Sequence, residues 1–226
     1  MLELLGPAIQ GHQPPLMLDE LTPGLGDCFC EGIVQQCRRP PIKLYLQSRG
    51  ITINDMMQLK AEVAQFVDTN RMTKKMRDLR LNFELSQQNL LEYEGLQPRT
   101  WEKYWDDMKK SGPWADDTFV QCTAWYLNVK LRIISVRMEE TERSRIVVID
   151  GDFSSPPGET RPVMYLGYIV SHHYQSLLPQ VEDNTVPQCL TRPVIDNTLQ
   201  DVVQRLARQQ LLSEQGIQVS FLQDNI

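Results

Sequence analysis

Residues 114–136, WADDTFVQCTAWYLNVKLRIISV, contain the change of period on which the fold turns. Up to Asn128 the apolar positions recur at helical spacing. Phe119, Val120, Cys122 and Trp125 follow Asp116, a residue type that accepts hydrogen bonds from the free N–H groups of a first helical turn. From Val129 the period drops to two: Val129, Leu131 and Ile133 alternate with Lys130 and Arg132, and the run continues to Val136. That is a strand.

Upstream of this switch the chain reads as helices. Residues 27–39 form one, with Asp27 as its N-cap, Phe29, Ile33 and Cys37 on one face, and Pro40-Pro41 as its stop. A second starts near Asn54, with Met56, Leu59, Val63, Phe66 and Val67 as its apolar stripe. Residues 71–95 are charged and helical in part. Thr100 caps a short helix lined by Trp101, Tyr104, Trp105 and Met108, and Gly112-Pro113 closes it. Downstream come strands: RIVVID at 145–150, VMYLGYIV at 163–170, and HHYQSLL at 172–178, which continues or pairs with the one before. Between the first two lies the turn-rich GDFSSPPGETRP. Helices first and strands later imply an α+β fold, a small mixed or antiparallel sheet packed between helices.

The two ends read differently. Residues 1–22 look irregular, because prolines and glycines break every period. The domain itself is expected over residues 23–180. Residues 181–226 read as a linker, an amphipathic helix over 199–212 and the short strand IQVSFL, a tail that packs on the core or docks elsewhere.

Composition narrows the class. The chain has 226 residues, with 23 Lys+Arg against 29 Asp+Glu, and five cysteines. A domain of this size buries enough surface to fold without metal or disulfide staples. No Lys/Arg block is present to displace counterions, which argues against a duplex nucleic-acid partner. No apolar run approaches the roughly 20 residues that span a bilayer, and the start lacks a basic signal flank, so no membrane partner is expected. An odd number of cysteines fits reduced thiols in a cytoplasmic compartment.

The thiols are the first candidates for chemistry. Cys28 alone follows a glycine turn and opens a helix, where the N-terminal field favours thiolate. The N–H groups of Gly26, Asp27 and Cys28 are candidates to hold an oxyanion there. Asp27 beside it has the wrong sign for a thiolate, so on local signals Cys28 reads either as an activated nucleophile or as a core cysteine. Cys30, Cys37, Cys122 and Cys189 read as packing residues. His172 and His173 are adjacent on a strand and point to opposite faces, so one is a candidate base and the other a surface residue. The same geometry disfavours a shared metal site, and no metal or cofactor is expected. DGD at 150–152 lacks the ligand spacing of a calcium loop and reads as a turn.

Three segments, in order, resemble the ovarian-tumour (OTU) family of cysteine proteases: GDCFCEGI (26–33) its nucleophile motif, WADDTFVQCTAWYLNVKLRII (114–134) its middle motif, and YLGYIVSHHYQSLLPQ (165–180) its histidine motif. The resemblance implies a papain-type α+β protease fold and a thiol-dependent deubiquitinase. Such an enzyme cleaves isopeptide or peptide bonds after the C-terminal glycine of ubiquitin or a ubiquitin-like modifier. By position, Cys28 would be the nucleophile and His173 the general base, with Gly26 and Asp27 at the oxyanion. Two positions depart from the family pattern. Leu25 stands where an Asp is common. Gln175 stands where the family has Asn or Asp; the pleat puts it on the face of His173, where its carbonyl could accept the Nδ1–H bond. Asp27, Asp116 and Asp117 are candidate acidic contacts for the basic tail of ubiquitin. The alternatives are an OTU-fold module that binds a modifier without turnover, or a protease processing a viral or retroelement polyprotein. The expected state is a monomer, or part of such a polyprotein.

Overall fold

The computed structural model describes residues 2–23, 26–94, 97–137, 140–154, 159–169 and 173–180. Leu25, His172 and the expected tail over 181–226 lie outside them. The described chain forms a compact unit, Leu2–Gln180.

The elements run α1 (Leu2–Gln10), β1 (Leu16–Leu18), α2 (Cys28–Cys37), α3 (Ile42–Ser48), α4 (Met56–Thr69), α5 (Lys74–Glu94), α6 (Trp101–Met108), α7 (Asp117–Leu127), β2 (Lys130–Arg137), β3 (Glu140–Ile149), β4 (Val163–Ile169) and β5 (His173–Pro179). The strands form one sheet in the order β1-β5-β4-β2-β3. β2 and β4 run parallel, and every other pair is antiparallel. This is the expected α+β architecture with a mixed sheet.

The switch of period at Asn128 is a real junction. The Asp116 carboxylate accepts from the Phe119 N–H at 3.0 Å and caps α7. Asn128 ends the helix in the left-handed region, φ 52°, and the strand begins at Lys130. Asn tolerates this conformation better than other residues with a Cβ, because its short polar side chain bonds locally. The Thr100 and Asp55 side chains cap α6 and α4 in the same way.

The N-terminal reading is corrected. Residues 2–18 form a helix and a strand, although Pro7 lies inside the helix. Tertiary burial overrides the local breakers: Leu5 and Ile9, one turn apart, are buried, and α1 packs on β2, β3 and β4. Gly167 of β4 admits Leu5, since a Cβ there would lie 2.7 Å from Leu5 Cδ1. β1 then pairs with β5, placing Leu18 opposite Leu177. Two further elements differ from expectation. α3 starts directly after Pro41, because a proline is tolerated where a helix begins. β3 is longer than RIVVID and forms a sheet edge, with Ile146, Val147 and Val148 exposed.

On the face opposite α1, α2 lies against β5 and β4. Gly32 brings it close, because a Cβ there would already press Leu166 Cδ2 at 3.2 Å. The buried Gln36 amide ties the two elements, donating to Ser176 Oγ at 2.7 Å and to the Leu177 carbonyl at 2.6 Å. The first turn of α2 and the first residues of β5 are thereby fixed side by side.

Candidate active site at the start of α2 and β5

That contact sets the Cys28 thiol against the backbone at the start of β5. The Tyr174 N–H donates to Cys28 Sγ at 3.3 Å, so the thiol sits one residue along the chain from His173. Both residues are buried. The Tyr174 ring stacks on Tyr168 at 4.3 Å and meets Phe29 edge-on at 5.2 Å, which holds the β5 backbone in register with α2. Burial pushes the Cys28 thiol above its ordinary value, although N–H groups of Tyr174, Phe29 and Cys28 itself pull it down. In this state it is a thiol, not a thiolate.

The imidazole of His173 is its chemical complement. Burial holds its pKa at about 4, against a smaller opposing effect of the nearby Thr22 backbone. The ring is therefore neutral at pH 7. Its Nε2 is buried and has no hydrogen-bond partner among the described residues. A buried ring nitrogen without a partner is costly as structure, and in the tautomer that leaves its lone pair free it can act as a base.

The depressed pKa carries a stability consequence. Below the ordinary value of 6.5 the unfolded ring takes up a proton and the folded one does not, down to about 4. The stabilisation is complete above pH 6.5 and is lost as pH falls towards 4. The urea midpoint is expected to drop across this window, and His173→Asn to flatten the drop. An equal drop in the variant would remove His173 as its cause.

Asp27 needs correction in two respects. It stands at the N-cap position of α2 but makes no side-chain cap. Its carboxylate is turned inward: one oxygen pairs with Lys60 Nζ, and the other accepts from Ser111 Oγ at 2.7 Å and the Gly112 N–H at 2.8 Å. Burial alone would raise its pKa; the bonds from Lys60, Ser111 and Gly112 outweigh that and hold the carboxyl below its ordinary value. A carboxylate so engaged does not face a basic substrate tail. It locks the 110–112 loop against Gly26, whose φ is +86° and whose missing Cβ would lie 1.9 Å from the Gly112 carbonyl oxygen.

Gln175 also departs from expectation. It is buried, and its Oε1 accepts from the Thr22 N–H at 3.2 Å, while Nε2 donates to the Glu20 carbonyl at 2.8 Å and to the Ser176 carbonyl at 3.2 Å. The side chain holds the 20–22 segment, and no bond to His173 is among its contacts. The shared face of the pleat is as expected; the amide is taken by a segment that sequence period left irregular.

Of the remaining acidic candidates, Asp116 is partly used, since it caps α7 and accepts from Tyr104 Oη. Asp117 is exposed in the first turn of α7. Both lie close enough to Tyr174 to help raise its hydroxyl pKa, behind the larger effects of burial and Tyr168. Three residues with roles around the pair carried no assignment from sequence: Thr22, Gln35 and Lys60. Lys60 had a legible signal, because it interrupts the apolar stripe of α4 between Met56 and Val63. Thr22 had none, since two of its bonds come from residues more than 150 positions away. Among the described residues no group of three or more His, Cys, Asp or Glu is placed to hold a metal, and no helix is long and apolar enough to cross a membrane.

The chain resembles solved structures of OTU deubiquitinases. One from Wolbachia pipientis wMel is 17% identical, over 73% of this chain and 88% of that one, with a TM-score of 0.45. An OTU deubiquitinase from the same organism bound to ubiquitin is 18% identical, over 73% and 96%, with a TM-score of 0.47. The OTUD1 OTU domain is 16% identical, over 60% and 90%, with a TM-score of 0.29. No protein-family model and no curated protein matches the chain.

Proposed function

We propose that the protein is a thiol-dependent deubiquitinase with Cys28 as nucleophile and His173 as general base. The observation that carries this reading is the buried, unpartnered Nε2 of His173 next in sequence to Tyr174, whose N–H holds Cys28 Sγ. The three motifs of OTU type supply the substrate class.

The chemistry follows from two neutral groups. As Sγ attacks the carbonyl carbon of the modifier's C-terminal glycine, its proton passes to His173 Nε2. The carbonyl oxygen becomes an oxyanion, held by N–H groups of the Gly26–Cys28 turn, which the Asp27 carboxylate keeps rigid from behind. Collapse of the tetrahedral adduct expels the lysine amine, which takes the proton from the imidazolium. Water, giving its proton to Nε2, then attacks the thioester and releases the glycine carboxylate and the Cys28 thiol. Asp117, exposed near Tyr174, is the remaining acidic group for the basic ubiquitin tail.

The test is covalent labelling with a ubiquitin C-terminal electrophile. Wild type is expected to form one adduct, and Cys28→Ala and His173→Asn none. Absence of an adduct with wild type, together with no cleavage of any di-ubiquitin, would rule out this function. A second reading, binding without turnover, is favoured by the raised pKa of the Cys28 thiol. It predicts saturable ubiquitin binding by titration with no adduct.

A further inference from the structure

The outer strand β3 combines a free sheet edge with an apolar surface. Ile146, Val147 and Val148 are 55%, 44% and 53% exposed, on both faces of the strand at once. An edge strand also carries a row of main-chain N–H and C=O groups with no neighbour to pair with, which makes it a template for another strand. Edges are commonly blunted by charge or proline, and neither interrupts residues 146–149.

Two arginines frame this stretch, one on each face. Cross-strand partners share a face, and alternate residues of a strand do too. Arg132 of β2 lies opposite Val148, on the face that also carries Ile146; Arg145 lies on the other face with Val147. Arg132 is half-buried, with its Nε shielded from water and without a hydrogen-bond partner, and Arg145 is exposed. Neither guanidinium has an ion pair among the described residues. Asp150, directly after β3, is engaged elsewhere, by Arg161 at 3.2 Å and Lys130 at 3.9 Å. A guanidinium held partly out of water without an anion is a cost that a carboxylate from outside removes.

We infer that the free edge of β3 is a docking site for an extended acidic peptide segment of a partner protein, which adds to the sheet as a further strand. The register states its chemistry. The residue opposite Val148 stands two strand spacings, roughly 10 Å, from Arg132, a span that a glutamate and an arginine bridge together. The next two residues meet Val147 and Ile146 and are apolar. The fourth meets Arg145 directly and is acidic again. The recognised pattern is acid, apolar, apolar, acid, which reads the same in either strand direction. A second copy of β3 fits less well, because residues 145–149 offer a guanidinium and no carboxylate. β4 and β2 separate this edge from β5, so occupation of the edge does not depend on the chemistry at Cys28.

The test is fluorescence anisotropy of the labelled peptide Thr-Glu-Val-Val-Glu-Thr, titrated with the whole protein. Saturable binding is expected, weaker as salt rises. The peptide with both glutamates replaced by lysine should bind at least about 10-fold more weakly. N-methylation of the amides along one side of the peptide should abolish binding, and along the other side leave it intact, because only one side bonds to β3. Arg132→Gln is expected to weaken binding about 10-fold and Arg145→Gln about 3-fold, since the first cation is partly buried and the second is in solvent. Val148→Lys should abolish binding, whereas Leu44→Lys, on an equally exposed apolar residue of α3, and Cys28→Ala should not change it. Absence of saturable binding, the result of an edge already covered by another strand, would overturn the inference. Equal affinity for the lysine peptide would do so too. So would a concentration-dependent dimer in sedimentation that Val148→Lys dissolves, which would assign the edge to a second copy.

Discussion

Lys60→Ala is expected to destabilise the protein by about 3–5 kcal/mol, the range for removing one partner of a buried ion pair. Lys60 is fully buried and joins the Asp27 carboxylate to the Lys110 carbonyl, which it meets at 2.8 Å. Without its ammonium the carboxylate remains in the interior with only the Ser111 hydroxyl and the Gly112 N–H. Part of that penalty is then relieved by protonation of Asp27, so the loss should shrink at low pH. The double variant Lys60→Met/Asp27→Asn is expected to recover much of the stability, because neither residue then buries a charge. It should not recover labelling by the ubiquitin electrophile if the ion pair keeps the Gly26 turn in place. Urea midpoints of the three proteins, with labelling rates, separate the two roles. Equal midpoints for wild type and Lys60→Ala would mean that the pair contributes nothing.

The second large effect is expected at Gly26. Gly26→Ala puts a Cβ where the Gly112 carbonyl oxygen stands, 1.9 Å away, on a backbone at φ +86°. The conformation alone costs a residue with a Cβ about 1–3 kcal/mol. The contact adds to that, because Gly112 cannot retreat without breaking its 2.8 Å bond to Asp27. Gly50→Ala is the control: its φ is +73° and nothing lies within 4 Å of the added carbon. The difference in thermal midpoint between the two variants isolates the contact from the conformation. A larger loss for Gly26→Ala, with labelling of Cys28 at least about 10-fold slower, is expected. Equal losses would show that the loop yields freely and that the turn is not held from behind.

The two predictions share a cause. The turn that carries Cys28 is held by groups behind it, Asp27, Lys60 and the 110–112 loop.

The local grammar of the chain was legible without coordinates. Thr100 and Asp116 cap their helices, and Asn128 ends α7 where the period changes from helix to strand. These features depend on bonds within a few residues, so residue type and spacing are enough to reveal them. The candidate pair was legible for the same reason: Cys28 opens a helix after a glycine, and His173 begins a strand. What lay beyond reach came from residues far apart. α1 forms despite Pro7 because Leu5 and Ile9 find the sheet, and β1 forms because β5 offers it an edge. The Asp27 carboxylate, a plausible cap or substrate contact by position, is drawn inward by an ammonium 33 residues away. Gln175, on the right face to touch His173, is claimed by the Thr22 N–H 153 residues away. Sequence alone determined the α+β class and the capped helices, because short-range bonds and period decide those. Only the tertiary structure decided which polar groups meet, because a buried donor takes the nearest acceptor in space whatever its place in the chain.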